Sequence, residues 1–230
     1  MSKVKVVLFD SNETLLDLSA LDPHFQRAYG AAEVRKKWFK QVLELCLTTT
    51  VIGKYRSFER LADAALDMAA RQYGTADGGR ELGKSDRASI HAAMLELPAY
   101  ADAKPALERL RAREVRLAVL TNSTEKSVKA QMKYAGLSDC FGEILSVDSV
   151  ERYKPARETY EYAAKKLDVD ADEIRMVAAH GWDVAGALSA GCRAAFVRRP
   201  EKALDPGGDE PDIIADDLTG VADQIIETDM

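Results

Sequence analysis

Cysteine is scarce: three in 230 residues, Cys46, Cys140 and Cys192, each standing alone with no C-x-x-C pair. That spacing excludes a zinc ribbon, a redox dithiol and a disulfide scaffold. The three read as small buried thiols in a reducing cytoplasm. No apolar run approaches the roughly 18 residues a membrane span needs. The opening residues lead into a strand with no signal-peptide h-region, so a cytoplasmic chain is expected. Basic clusters are missing beyond Arg35-Lys36-Lys37, and the net charge is −6. A nucleic-acid partner is therefore not expected. Internal repeats and low-complexity tracts are also lacking.

What is present is the makeup of a folded, soluble chain, with 47% hydrophobic and 30% charged residues. At about 100–200 residues per domain, the length allows one large domain or a core with an insertion. Val4 to Phe9 is a β-branched apolar run interrupted only by Lys5, which reads as a buried strand of a parallel sheet. Asp10 follows where the strand runs out, and open α/β sheets bind ligands beyond the carboxyl ends of their strands. The alternative is a strand-end aspartate capping the turn. Two further apolar runs end the same way: Val115–Leu120 in Thr121-Asn122-Ser123, and Ile174–Ala179 in His180-Gly181-Trp182-Asp183. Between them, Tyr153-Lys154-Pro155 precedes a helical pattern.

From Pro23 to about Leu97 the pattern is helical, with stripes over Ala31–Leu47 (Val34, Trp38, Val42, Leu45), Phe58–Tyr73 and Ser85–Leu97. Gly74–Gly83 reads as a surface loop. Thereafter helices Pro105–Arg113, Glu125–Tyr134, Arg157–Leu167 and Asp183–Ala190 alternate with strands Val115–Leu120, Ile144–Ser146, Ile174–Ala178 and Ala194–Val197. That alternation demands a doubly wound, Rossmann-like parallel sheet with helices on both faces. Ile213-Ile214 reads as a last edge strand, and Leu218–Ile226 as a closing helix.

The ordered motifs F-D-x-x-x-T-L, L-T-N-S, Y-K-P and W-D-x-x-G-A-x-x-A-G resemble the haloacid dehalogenase superfamily, and within it the 2-haloacid dehalogenases. The resemblance covers nearly the whole chain. It implies an α/β core formed by residues 1–16 and 98–230, with 17–97 inserted as an all-helical cap. It also implies that Asp10 is a nucleophile forming an ester, that Lys154 neutralises its charge, and that Asp183 positions water. Thr14, Thr121 and Asn122 look like the residues that orient Asp10, hold the substrate carboxylate and contact the leaving halide. Ser11, Asn12, Trp38, Phe39 and Trp182 join them as candidate substrate-binding residues. Tyr160 matches a tyrosine near the lysine, with helix packing as its alternative.

Two positions separate reaction classes. Superfamily phosphatases carry an aspartate where this chain has Asn12, which cannot transfer a proton at ordinary pH. Their magnesium site uses two acids in the last motif, and Ala179 occupies the first of those positions while Asp183 matches the second. A metal-independent dehalogenase of short 2-haloalkanoic acids, needing no cofactor, is the expected activity. A magnesium-dependent phosphatase and a binding-only relative are the alternatives.

The chain also departs from typical 2-haloacid dehalogenases. It has Ser11-Asn12-Glu13 where they have x-Y-G, and Ala178-Ala179-His180 where they have S-S-N. The cap arginine falls at Phe39, which leaves Arg35 and Arg56 as distant candidates to replace it. His180 is a candidate for a polar role near the halide or the hydrolytic water, and a structural histidine is the alternative. The resemblance suggests a dimer, although no stripe identifies an interface.

Overall fold

The computed structural model describes residues 3–74 and 82–230. Most of the expected glycine-rich loop, residues 75–81, lies outside them. At the centre is β1 (Val6–Phe9), buried along its length. It pairs in parallel with β2 (Arg116–Thr121) on one side and β4 (Ile174–Ala178) on the other. The sheet continues through β3 (Glu143–Ser146), β5 (Arg193–Val197) and β6 (Ile213–Ala215) in the order β3-β2-β1-β4-β5-β6, all parallel. With both faces covered by helices, the central strands have no polar side to show, and their sequences run as continuous Val, Leu, Ile and Ala. The strand order reverses direction around β1, so the crevice at its carboxyl end is where such a sheet receives a ligand.

Between β1 and β2 the described chain holds α1 (Asp22–Tyr29), α2 (Val34–Val51), α3 (Phe58–Tyr73), α4 (Lys84–Leu95) and α5 (Ala103–Arg111). Helix α2 packs on α3, and α1 on α4. The remaining helices are α6 (Glu125–Tyr134), α7 (Arg157–Leu167), α8 (Gly181–Ser189) and α9 (Leu218–Asp229). Pro105 sits in the first turn of α5, where its missing N–H costs nothing. Gly136 follows α6 at φ 68°, the left-handed geometry of a helix stop. No helix of the described residues is long and apolar enough to cross a membrane.

Several boundaries differ from expectation for local reasons. Strand β1 starts at Val6; just before it the Lys5 N–H donates to the Glu173 carbonyl, and the exposed Lys5 side chain pairs with Glu173 at 2.6 Å. Helix α2 runs a further turn to Val51, and α4 stops at Leu95, where Glu96 leaves helical geometry at φ −115°. Helix α8 begins at Gly181, two residues early. Its N-terminal flanking residue is therefore His180, and Asp183 lies inside the first turn rather than capping it. The three cysteines are free and buried.

Candidate active site

The turn after β1 folds back tightly: the Ser11 carbonyl accepts from the backbone N–H of Thr14, Leu15 and Leu16, and Glu13 takes the left-handed region at φ 61°. This leaves Asp10 at the carboxyl end of β1, 5% exposed and behind Lys154 and His180, which bond it. Thr14 Oγ1 donates to Asp10 Oδ2 at 2.8 Å and accepts from the Ala179 N–H at 3.0 Å. One hydroxyl thereby ties the β1 turn to the end of β4.

Lys154 enters from the loop before α7 and is fully buried. Its Nζ donates to Asp10 Oδ1 at 2.9 Å, Asp183 Oδ2 at 2.6 Å and the Leu120 carbonyl at 2.9 Å. Asp183 Oδ1 accepts from the Tyr160 hydroxyl at 2.5 Å, so both Asp183 oxygens are engaged. Helix α8 must lie close to bring this about. A Cβ built on Gly186 would meet Pro155 Cβ at 2.4 Å and the Tyr160 hydroxyl at 2.7 Å.

Burial alone would raise the Asp10 carboxyl, but the Lys154 charge and the His180 hydrogen bond outweigh it and hold Asp10 well below the usual carboxylate range. Burial also works against the Lys154 ammonium, and its two carboxylates overcome that and keep it charged. Asp183 is pushed up by burial and by the Asp10 charge, with Lys154 opposing. The stable arrangement is one ammonium shared by two carboxyls, of which Asp10 is the firmly ionised one.

The other candidates fall into two groups. Ser11 and Thr121 share a 2.6 Å hydroxyl contact. Asn12 Nδ2 donates to Ser123 Oγ at 3.2 Å, and Asn122 Oδ1 accepts from the Lys154 N–H at 2.9 Å. Asn122 Nδ2 and Asn12 Oδ1 are buried without a protein partner. Trp38 is not brought to the site. It is 1% exposed, its ring packs on Phe25 and Phe39, and its Nε1 donates to the Ala62 carbonyl. Tyr160 is buried behind Asp183 rather than facing open space.

A cavity of about 560 Å³ opens in front of Lys154, Asn122 and Ala179. Phe39, His180 and Trp182 line it, along with Lys36, Lys40 and Lys202. Arg35 and Arg56 do not: Arg35 pairs with Asp22 at 2.5 Å and lies 3.9 Å from Glu13, and Arg56 is exposed. The cations offered to the cavity are therefore lysines.

Sequence reasoning missed Glu13 and Lys202. His180 Nδ1 lies 3.4 Å from Asp10 Oδ2, its Nε2 lies 3.0 Å from Glu13 Oε2, and its ring stacks on Trp182 at 5.0 Å between centroids. Lys202 donates to the same Glu13 oxygen. The charged run Arg198-Arg199-Pro200-Glu201-Lys202 directly after β5 was the available signal, since it occupies the same strand-end station as the other motifs.

Comparison with known proteins agrees with this architecture. The chain belongs to the haloacid dehalogenase-like hydrolases, whose family model matches residues 4–191. It is 28% identical over 230 residues to an (S)-2-haloacid dehalogenase of Pseudomonas sp. (strain YL), covering 99% of this chain and 97% of that one. It is 31% identical over 201 residues to (S)-2-haloacid dehalogenase 4A of Burkholderia cepacia, covering 86% and 85%. The L-2-haloacid dehalogenase structure from Xanthobacter autotrophicus superposes with a TM-score of 0.89 at 25% identity, over 98% of this chain and 99% of that one.

Burial disfavours the His180 imidazolium, and the bonds to Asp10 and Glu13 more than offset this, with Lys202 opposing; the net shift is upward. The stabilisation this gives is fully present below the free-imidazole value of about 6.5 and is lost as pH rises through the higher folded value. Melting temperatures of the parent and of His180→Asn, measured across neutral pH, should converge as pH rises. A constant gap would show that the imidazolium contributes nothing.

Proposed function

We propose that this hydrolase cleaves the carbon–halogen bond of 2-haloalkanoic acids, with Asp10 as the nucleophile and without a metal ion. The observation that carries the reading is the Lys154 ammonium seated between Asp10 and Asp183. It keeps the Asp10 carboxylate ionised and takes one oxygen of each carboxyl, and Tyr160 takes the other oxygen of Asp183, which leaves Asp183 no free oxygen for a cation. No cluster of three or more potential metal ligands occurs among the described residues. Asn12 offers no proton to a leaving alcohol, whereas a halide leaves without one.

In the first step an Asp10 oxygen attacks C2 from the face opposite the halogen. A C–O bond forms, the C–X bond breaks, and halide departs with its electron pair. Asn122 Nδ2, buried and unpaired, is a donor ready for an anion in this crevice. In the second step water adds to the Asp10 carboxyl carbon and passes a proton to His180. The acyl C–O bond then breaks, the imidazolium returns that proton to the departing 2-oxygen, and a 2-hydroxy acid of inverted configuration leaves while Asp10 re-ionises and its remaining proton goes to solvent.

We assign the second step's proton to His180. Asp183 has both oxygens engaged, so it fixes Lys154, and its ordering of water is indirect. Once Asp10 is an ester, its charge no longer supports the imidazolium, and the ring can lose its proton. The neutral ring then keeps Nε2–H on Glu13 and presents Nδ1 to the water. Residues 17–97 serve as a cap over the crevice, and Phe39 contributes an apolar wall that excludes bulk water from the first step.

Halide release measured over chloro-, bromo- and fluoroacetate and both 2-chloropropionate enantiomers should occur and be unaffected by chelator. Chelator-sensitive phosphate release with no halide would replace this reading with a phosphatase. For His180→Asn, rapid mixing should show a burst of about one equivalent of halide followed by turnover roughly 10²–10⁴-fold slower. Equal loss of burst and turnover would remove His180 from the water step.

A further inference from the structure

The cavity is larger than a short haloacid requires. A 2-halopropionate has six non-hydrogen atoms and fills roughly 180 Å³ even at the ~30 Å³ that a water molecule takes in the liquid. The cavity offers about 560 Å³. The surplus has a shape. Lys36, Phe39, Lys40, Leu43, Glu44 and Leu47 all line it, which is the three-and-four spacing of one face of α2. Phe39, Leu43 and Leu47 form a straight apolar seam along that face, with Trp182 and Ala203 also among the lining residues. The eight steps from Phe39 to Leu47 span about 12 Å at 1.5 Å per residue, the reach of an extended hexyl to octyl chain.

The seam is graded from the reacting end outward. Phe39 is 4% exposed with its ring 6.5 Å from that of His180, Leu43 is half-buried, and Leu47 is 43% exposed although it lines the cavity. Charge lies to either side of the seam. Lys36 bonds Glu201 at 2.6 Å across the cleft, and Gln41 bonds Glu44 at 3.1 Å. The charged end of an amphipathic acid would meet the unpaired Asn122 Nδ2, and its chain would then run along the Phe39–Leu43–Leu47 seam with the charged side chains to either side.

We propose that the substrates this site favours are 2-halo acids carrying a medium-length alkyl or an aryl substituent on C2, bound along the Phe39–Leu43–Leu47 seam of α2. This rests on the dehalogenation reading above and extends it to the part of the substrate that does not react. Burial of each methylene on such a surface raises kcat/KM about twofold to threefold, somewhat less than full burial would give.

The test is a homologous series from 2-chloropropionate to 2-chlorodecanoate, with kcat/KM read from halide release. The parent should climb by that factor per carbon as far as the octanoate and then level off where the seam ends. In Leu47→Glu and in Leu43→Ser, the ratio of 2-chlorooctanoate to 2-chloropropionate should fall about tenfold, with 2-chloropropionate itself as the internal reference. A parent series that is flat or declines with chain length overturns the proposal and leaves the dehalogenation reading standing. So does a ratio untouched by either variant. Turnover of no 2-halo acid at all overturns both.

Discussion

One ammonium group held between two carboxyls sets the terms for everything around it. Lys154 is fully buried, and in a medium of low dielectric such a charge persists only beside opposite charge and with its donors satisfied. Its three donors are all used, on Asp10, Asp183 and the Leu120 carbonyl. The partners come from the end of β1, the first turn of α8 and the end of β2. The sheet order, which places β1 between β2 and β4, brings these ends to one station. Breaking a buried pair of this kind leaves an uncompensated charge, at a cost of roughly 3–5 kcal/mol. The same contacts that organise the crevice therefore also hold its walls together. Thr14 and Tyr160 complete the frame, one fixing Asp10 and the other Asp183.

Much of this was legible in the amino-acid order. The β-branched runs ending in polar residues identified the sheet and the strand-end station, and the helices Glu125–Tyr134 and Arg157–Leu167 fall where periodicity placed them. What stayed hidden depends on three-dimensional approach. Trp38 stands next to Phe39 in sequence, yet successive helix positions point about a quarter-turn apart, so one ring enters the helical core and the other the cavity. The sequence pattern starts a helix at Asp183, but α8 begins two residues earlier and the carboxylate turns inward to Lys154. Lys202 is remote in sequence from Glu13, and only the closing of the sheet at β5 brings them together.

Two of the departures from the usual motifs of 2-haloacid dehalogenases lie side by side. Glu13 and His180 replace residues in different motifs, and their side chains meet at 3.0 Å against Asp10. An acid replacing a glycine next to a nucleophilic carboxylate would be unfavourable alone. A histidine bridging the two, with Lys202 on the outer side, neutralises it. Phe39, where the resemblance implies an arginine, puts aromatic surface on the α2 side of the cavity. The crevice that results is polar at its floor and apolar along α2, a division that suits an acid reacting at one end.

The account stands on a covalent bond between Asp10 and the carbon that loses halide. It is tested most directly by a single turnover with enzyme in excess over 2-chloropropionate in ¹⁸O-labelled water, followed by mass analysis of peptide and product. The account predicts heavy oxygen in the Asp10 carboxyl and unlabelled 2-hydroxypropionate. Heavy oxygen in the product, with Asp10 unlabelled, would contradict it.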